Sequence, residues 1–97
     1  MARRAAKADR NQPEIVATFR QLGATVQHLH MVGQGCPDIL VGYKSVNYLV
    51  EIKDGLLPPS GQKLTGPETK FFDEWRGQVD IVNSNEAAAR LLGIAWK

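Results

Sequence analysis

The sequence predicts an α/β domain, a small mixed β-sheet flanked by helices in the order α-β-β-β-α-β-α, and three observations predict it. Two runs, Asp38–Tyr43 and Asn47–Lys53, are apolar on alternate positions and nearly so on the rest, as central strands covered on both faces should be. Helix-start signals at Asn11-Gln12-Pro13-Glu14, Thr65-Gly66-Pro67-Glu68 and Asn83-Ser84-Asn85-Glu86 alternate with strand-like segments. The 97 residues, 43% hydrophobic and 23% charged, suit one small globular domain, with no internal repeat and no low-complexity segment.

Residues 1–11 read as a basic flexible tail and 12–97 as the single domain. Residues 1–10 hold Arg3, Arg4, Lys7 and Arg10 against Asp9, a charge of +3 that leaves the remaining chain at −1. A basic arm on a near-neutral body suits phosphate contacts by the arm, although for a basic tail considered alone a solvated, mobile terminus is the commoner explanation. Ile15, Phe19 and Leu22 then recur at helical spacing, and Gly23 is placed to end that helix. Residues 24–31 read as a strand, with Val26, His28 and His30 on one face and Gln27, Leu29 and Met31 on the other. Gly33, Gln34 and Gly35 break it before the two central strands.

The stretch from Asp54 to Thr65 holds Gly55, Pro58, Pro59, Ser60 and Gly61 without periodicity, and reads as a loop long enough to be used. Thr65 and Glu68 match a capping box opening a helix with Phe71, Phe72 and Trp75 on its buried side and Gly77 at its end. Gln78–Val82 reads as a short strand, and Ala87 to Leu92 as a last helix closed by Gly93.

Asp38 and Glu51 are unusual in such apolar strands, because buried carboxylates are rare unless paired or bound to a metal. The link around Lys44-Ser45 is short, so the strands should form an antiparallel hairpin, although an Asn-Gly turn signal is absent. With a two-residue loop Asp38 faces Glu51, and with a four-residue loop it faces Lys53. In either case all three side chains share a face, whereas a three-residue loop without a bulge would send Asp38 to the other side. Two carboxylates and the Ile52 carbonyl suffice to hold Mg²⁺, which keeps several waters, against a substrate phosphate. Lys53, roughly 6.5–7 Å from Glu51 along the strand, is near enough to orient or deprotonate an attacking water or to steady charge on the phosphate. Judged alone, Glu-x-Lys in a strand is better explained as a structural ion pair at a sheet edge; the Pro-Asp thirteen residues ahead of it and the apolar flanks that bury both change the balance.

Pro37-Asp38 followed by Glu51-Ile52-Lys53 resembles the motif of the PD-(D/E)XK nuclease superfamily. A narrower match is carried by Gly35-x-Pro37-Asp38-Ile39-Leu40-Val41-Gly42, Val50-Glu51-Ile52-Lys53-Asp54-Gly55, Leu64-Thr65 and Phe72-x-x-Trp75. These are similar to the virus-type replication-repair nuclease (VRR-NUC) domain, in its standalone phage or bacterial type, over roughly residues 12–92. The resemblance implies a restriction-endonuclease-like core and Mg²⁺- or Mn²⁺-dependent endonuclease action on branched DNA, with junction-resolvase-like members working as homodimers. It makes Asp38 and Glu51 metal ligands and Lys53 the catalytic lysine. Glu14 falls at the family's additional acidic position, where it could bind the metal through water; a favourable helix-dipole charge is the competing explanation. Glu68 stands where many relatives carry glutamine, and its capping role competes with a catalytic one.

Other residues invite narrower readings. His28 and His30 lack further Cys or His partners for zinc, and Cys36 lacks a base partner, so it reads as a packing residue. Ser60 and Lys63, after the second central strand, are candidates for phosphate contact alongside Arg3, Arg4, Lys7 and Arg10. A single cysteine excludes an internal disulfide, and no apolar run approaches the ~18 residues of a membrane span. These point to a cytoplasmic protein. The competing functions are a catalytically silent junction-binding or assembly module with a nuclease fold and a restriction-type enzyme, the latter opposed by the lack of room for a base-reading insert.

Overall fold

The computed structural model describes residues 9–96, so Arg3, Arg4 and Lys7 lie outside the described residues. Helix α1 (Gln12–Gln21) begins with Pro13 in its first turn and the Gln12 N–H bonded to the Asp9 carbonyl. Strands β1 (Thr25–His28), β2 (Ile39–Tyr43) and β3 (Val46–Ile52) follow, then a 3-10 turn (Pro59–Gln62) within the long loop. Helix α2 (Gly66–Glu74), strand β4 (Asp80–Val82) and helix α3 (Asn85–Leu91) complete the order α-β-β-β-α-β-α, as expected from the sequence. The sheet runs β1-β2-β3-β4; the first three strands are antiparallel, and β4 is parallel to β3 across the α2 connection. Among the described residues no helix is long and apolar enough to cross a membrane.

The hairpin register decides the geometry of everything that follows. Ile39 pairs with Val50 and Tyr43 with Val46, leaving Lys44 and Ser45 as a two-residue loop, so the next step outward sets Asp38 opposite Glu51. Lys44 and Ser45 have φ of 50° and 66°. Two successive left-handed residues make the type I′ geometry that matches strand twist, here achieved without the glycine that usually signals it. What holds the register is burial. Ile39, Val41, Val50 and Ile52 all point to one face, where they pack with Val82 and with Ile15, Val16 and Phe19 of α1 and Ala88 of α3. A one-residue slip would expose them all and bury the acids instead.

Several segments depart from the expected pattern for identifiable reasons. The first strand stops at His28 rather than residue 31, because Leu29 bonds the Asp38 carbonyl and the chain then turns through a Val32–Leu29 bond. His28 and His30 therefore do not share a strand face, although their rings stand 6.0 Å apart. The last strand starts at Asp80 rather than Gln78, since the Gln78 side chain, bonded to both Leu49 N–H and Leu49 carbonyl, takes the place of a backbone partner. Helix α2 contributes no buried residue, contrary to the expectation for Phe71, Phe72 and Trp75. Trp75 is 47% exposed, stacked on Phe71 at 5.0 Å. That helix is fastened by polar bonds at its ends, not by a core: the Thr65–Glu68 capping box at its start and the Trp75 indole to the Gln78 carbonyl after its finish. Coverage by helices is thus thorough on the α1–α3 face and thin on the other.

Candidate active site

On the thinly covered face, a cleft of about 310 Å³ gathers Asp38, Glu51, Ile52 and Lys53 with Glu68 and Asp9. Three local devices bring Asp38, the Glu51–Lys53 pair and Glu68 there. Pro37 is buried, and the Asp38 that follows it stands just ahead of β2, where Oδ2 accepts a 2.7 Å hydrogen bond from the Ile52 N–H. That bond ties the aspartate to the neighbouring strand and fixes one oxygen. Glu51 and Lys53 alternate with the core residues Val50 and Ile52, so the pleat that buries the latter turns the former into the cleft. Glu68 reaches the site from the first turn of α2, where its Oε1 accepts both the Thr65 N–H at 2.9 Å and the Lys53 Nζ at 2.8 Å.

Gly35 sets how closely α2 can approach. Its φ is +78°, and a Cβ there would lie 2.2 Å from the Pro67 carbonyl oxygen and 2.9 Å from the Glu68 nitrogen. Only glycine accepts both that backbone conformation and that contact.

The electrostatics follow from burial of several carboxylates around one ammonium. Glu51 is 2% exposed. Burial, then the Asp38 and Glu68 carboxylates beside it, push its carboxyl up to about 9, with Lys53 opposing. Its Oε2 lies 3.6 Å from Lys53 Nζ, and its buried Oε1 has no hydrogen-bond partner among the described residues. Burial also raises Asp38, against the Ile52 N–H and the Glu51 side chain. For Lys53 burial disfavours the charge, but the Glu68 hydrogen bond and charge, with Glu51 and Asp9, outweigh it and hold the ammonium. Burial likewise works against the Glu68 carboxylate, and the bonds from Lys53 and Thr65 overcome it. Cys36, on the cleft wall, has its thiol raised by burial and by Glu51 and Asp38, which makes it a poor nucleophile.

The sequence-predicted residues separate into two groups. Asp38, Glu51, Ile52 and Lys53 converge, and Glu68 joins them through Lys53. Glu14 does not: it is exposed on α1, its carboxylate accepts a 2.7 Å bond from the Asn85 amide, and it lines a separate depression. Its position two residues into the helix ties α1 to α3 instead of facing the cleft. Arg10, expected as a phosphate contact, is spent on the buried carboxylate of Asp54 at 2.8 Å. Ser60 and Lys63 are exposed on the loop beyond β3 and do not line the cleft. Asp9 was not anticipated as a site residue. Its carboxyl is raised by burial, with Lys53 opposing. The one available signal was an acid in an otherwise basic segment just ahead of a helix start.

The donor set fits a hard divalent cation. A buried carboxylate oxygen with no hydrogen-bond partner among the described residues, on a glutamate raised by burial and by two neighbouring carboxylates, is the environment that a cation would relieve. Among the described residues no three His, Cys, Asp or Glu side chains converge enough to hold an ion by themselves.

A hairpin that sets an aspartate after proline against Glu-x-Lys, on a mixed sheet with helices around it, is the arrangement expected of a nuclease-fold domain of the PD-(D/E)XK class. Comparison with solved structures narrows this. The chain is similar to a solved VRR_NUC domain at 29% sequence identity and a TM-score of 0.57, over 90% of this chain and 95% of that one. No family model and no curated protein matches the chain. The structural match, nearly complete on both sides, supports the VRR-NUC identification read from the motifs.

Proposed function

We propose that this domain is an Mg²⁺- or Mn²⁺-dependent endonuclease that hydrolyses phosphodiester bonds in branched DNA, acting as a homodimer in the cytoplasm of a bacterial or phage-infected cell. The observation that carries the reading is the single cleft joining Asp38, Glu51 and Lys53, with a Glu51 oxygen buried and unpartnered beside them. Asp38 and Glu51, with the Ile52 carbonyl, are the groups that would hold the ion. Bound there, a divalent cation supplies an activated water and neutralises charge on the phosphate. Lys53 is kept protonated by Glu68, so its part is to steady negative charge on the phosphate rather than to accept a proton. Glu68 thereby both caps α2 and aims the lysine.

The proposed recognition is of DNA shape and backbone. Arg3, Arg4, Lys7, Ser60 and Lys63 are the proposed phosphate contacts, groups that read backbone rather than base sequence. One cleft cuts one strand at a time, so resolving a four-way junction needs two copies in symmetric array. The test is a panel of junction, flap and plain duplex DNA with Mg²⁺ or Mn²⁺, read beside the mass of the protein by light scattering. Cleavage concentrated on branched substrates by a dimer is expected. Folded protein that cuts none of them overturns the proposal, and a monomer that cuts only flaps removes the junction-resolving part.

A further inference from the structure

Asp9 is brought into the cleft by a clamp that no motif describes. The Asn11 side-chain amide donates to the Lys53 carbonyl at 3.0 Å, and the Arg10 guanidinium binds the Asp54 carboxylate, which is 4% exposed, at 2.8 Å. Both partners lie at the end of the strand that carries Glu51. Behind them, the Asp9 carbonyl accepts the Gln12 N–H at 3.0 Å, fixing the segment to the start of α1. Three successive residues are thus anchored to two elements, and the side chain of the first lines the same cleft as Asp38, Glu51 and Lys53. In that cleft Glu51 keeps a buried oxygen with no hydrogen-bond partner among the described residues. Glu14, five residues later, is held away by Asn85.

We propose that Asp9 is the additional acid of this site, contributing its carboxylate through solvent to the cation set formed by Asp38 and Glu51, and that Arg10 and Asn11 are the clamp that places it. The inference rests on the metal-site reading above. Among the described residues no three acidic side chains close directly around one point, so the role proposed for Asp9 is through solvent. The same clamp gives the largely exposed Arg10 a fixed partner: its guanidinium sits on the buried Asp54 carboxylate and leaves Asp9 to the cleft.

The competing explanation is structural, since the Asp54 N–H also draws on the Asp9 carboxylate. Calorimetric titration of Mn²⁺ into the full chain separates the two, with metal-free thermal unfolding measured alongside. Asp9→Asn should weaken Mn²⁺ binding by about tenfold, as loss of an outer ligand-orienting carboxylate typically does. Asp9→Glu should recover most of the affinity, and Glu14→Gln should leave it within about twofold of wild type, the size of change expected from a distant screened charge. Equal affinity of Asp9→Asn and wild type, with Asp38→Asn failing to bind, overturns the inference while leaving the metal site standing. A loss at Glu14→Gln as large as that at Asp9→Asn overturns it as well. Folded wild type that binds no Mn²⁺ defeats the metal-site reading itself, and this inference with it.

Discussion

On one face of the sheet Ile39, Val41, Val50 and Ile52 are at most 1% exposed beneath α1 and α3; on the other, the same two strands present Asp38, Glu51 and Lys53 to a cleft. The first face is closed by apolar packing and gains free energy from every group it buries. The second buries charge, leaves a carboxylate oxygen with no partner among the described residues and relies on α2, a helix with no fully buried residue. Residues one position apart in sequence thus serve opposite ends, and the difference teaches that stability in so small a domain is concentrated on one side to support strain on the other.

The comparison can be broken from either side. On the core face, Phe19→Ala, at a side chain with no exposure, should cost about 3–5 kcal/mol of unfolding free energy in denaturant titrations, a large share of what a domain of this size has. Between the faces, Gly35→Ala forces a Cβ against the Pro67 backbone at positive φ and should cost about 1–3 kcal/mol. Because the shift falls on the start of α2, it should also loosen Glu68 from Lys53, read as a drop in cleavage larger than the stability loss explains.

On the site face the sign should reverse. Glu51 is raised from 4.5 to about 9, so between those values the folded chain binds more protons than the unfolded one, and metal-free stability falls as pH rises through that window. Glu51→Gln removes this dependence. It should raise the metal-free Tm at pH 8, with the advantage shrinking toward pH 4.5, while abolishing cleavage. A lower Tm at pH 8 would show that the glutamate stabilises the fold. The smallest effect is expected at the hairpin turn, where replacing Lys44-Ser45 by Asn-Gly suits both left-handed residues and should add about 0.5–1 kcal/mol without touching activity.

Much of this was legible because strand pleating obeys parity. Once the loop between the central strands is two residues, Asp38 opposite Glu51 follows, and so does their separation from the apolar face. The turn itself gave no such sign, since Lys44 and Ser45 adopt a conformation that side chains disfavour and that the surrounding register imposes. Phe71, Phe72 and Trp75 had the periodicity of a buried helix face, but periodicity does not say whether anything lies opposite, and here α2 is held by its termini. Asp9 and Glu14 illustrate the remaining limit. Both are acids near one helix start, and only the tertiary partners, Asp54 and the Lys53 carbonyl for one segment and Asn85 for the other, decide which enters the cleft.

The central claim is that the polar face is a working hydrolytic centre, and the most direct measurement is strand cleavage of a four-way junction with Mg²⁺ by wild type beside Lys53→Ala, with binding followed in the same samples. Wild type should cut, and the variant should bind with similar affinity and cut at least about 100-fold more slowly, the scale of losing one charge-stabilising group. Cleavage by Lys53→Ala at the wild-type rate, or a folded wild type that binds the junction and never cuts it, would contradict the account.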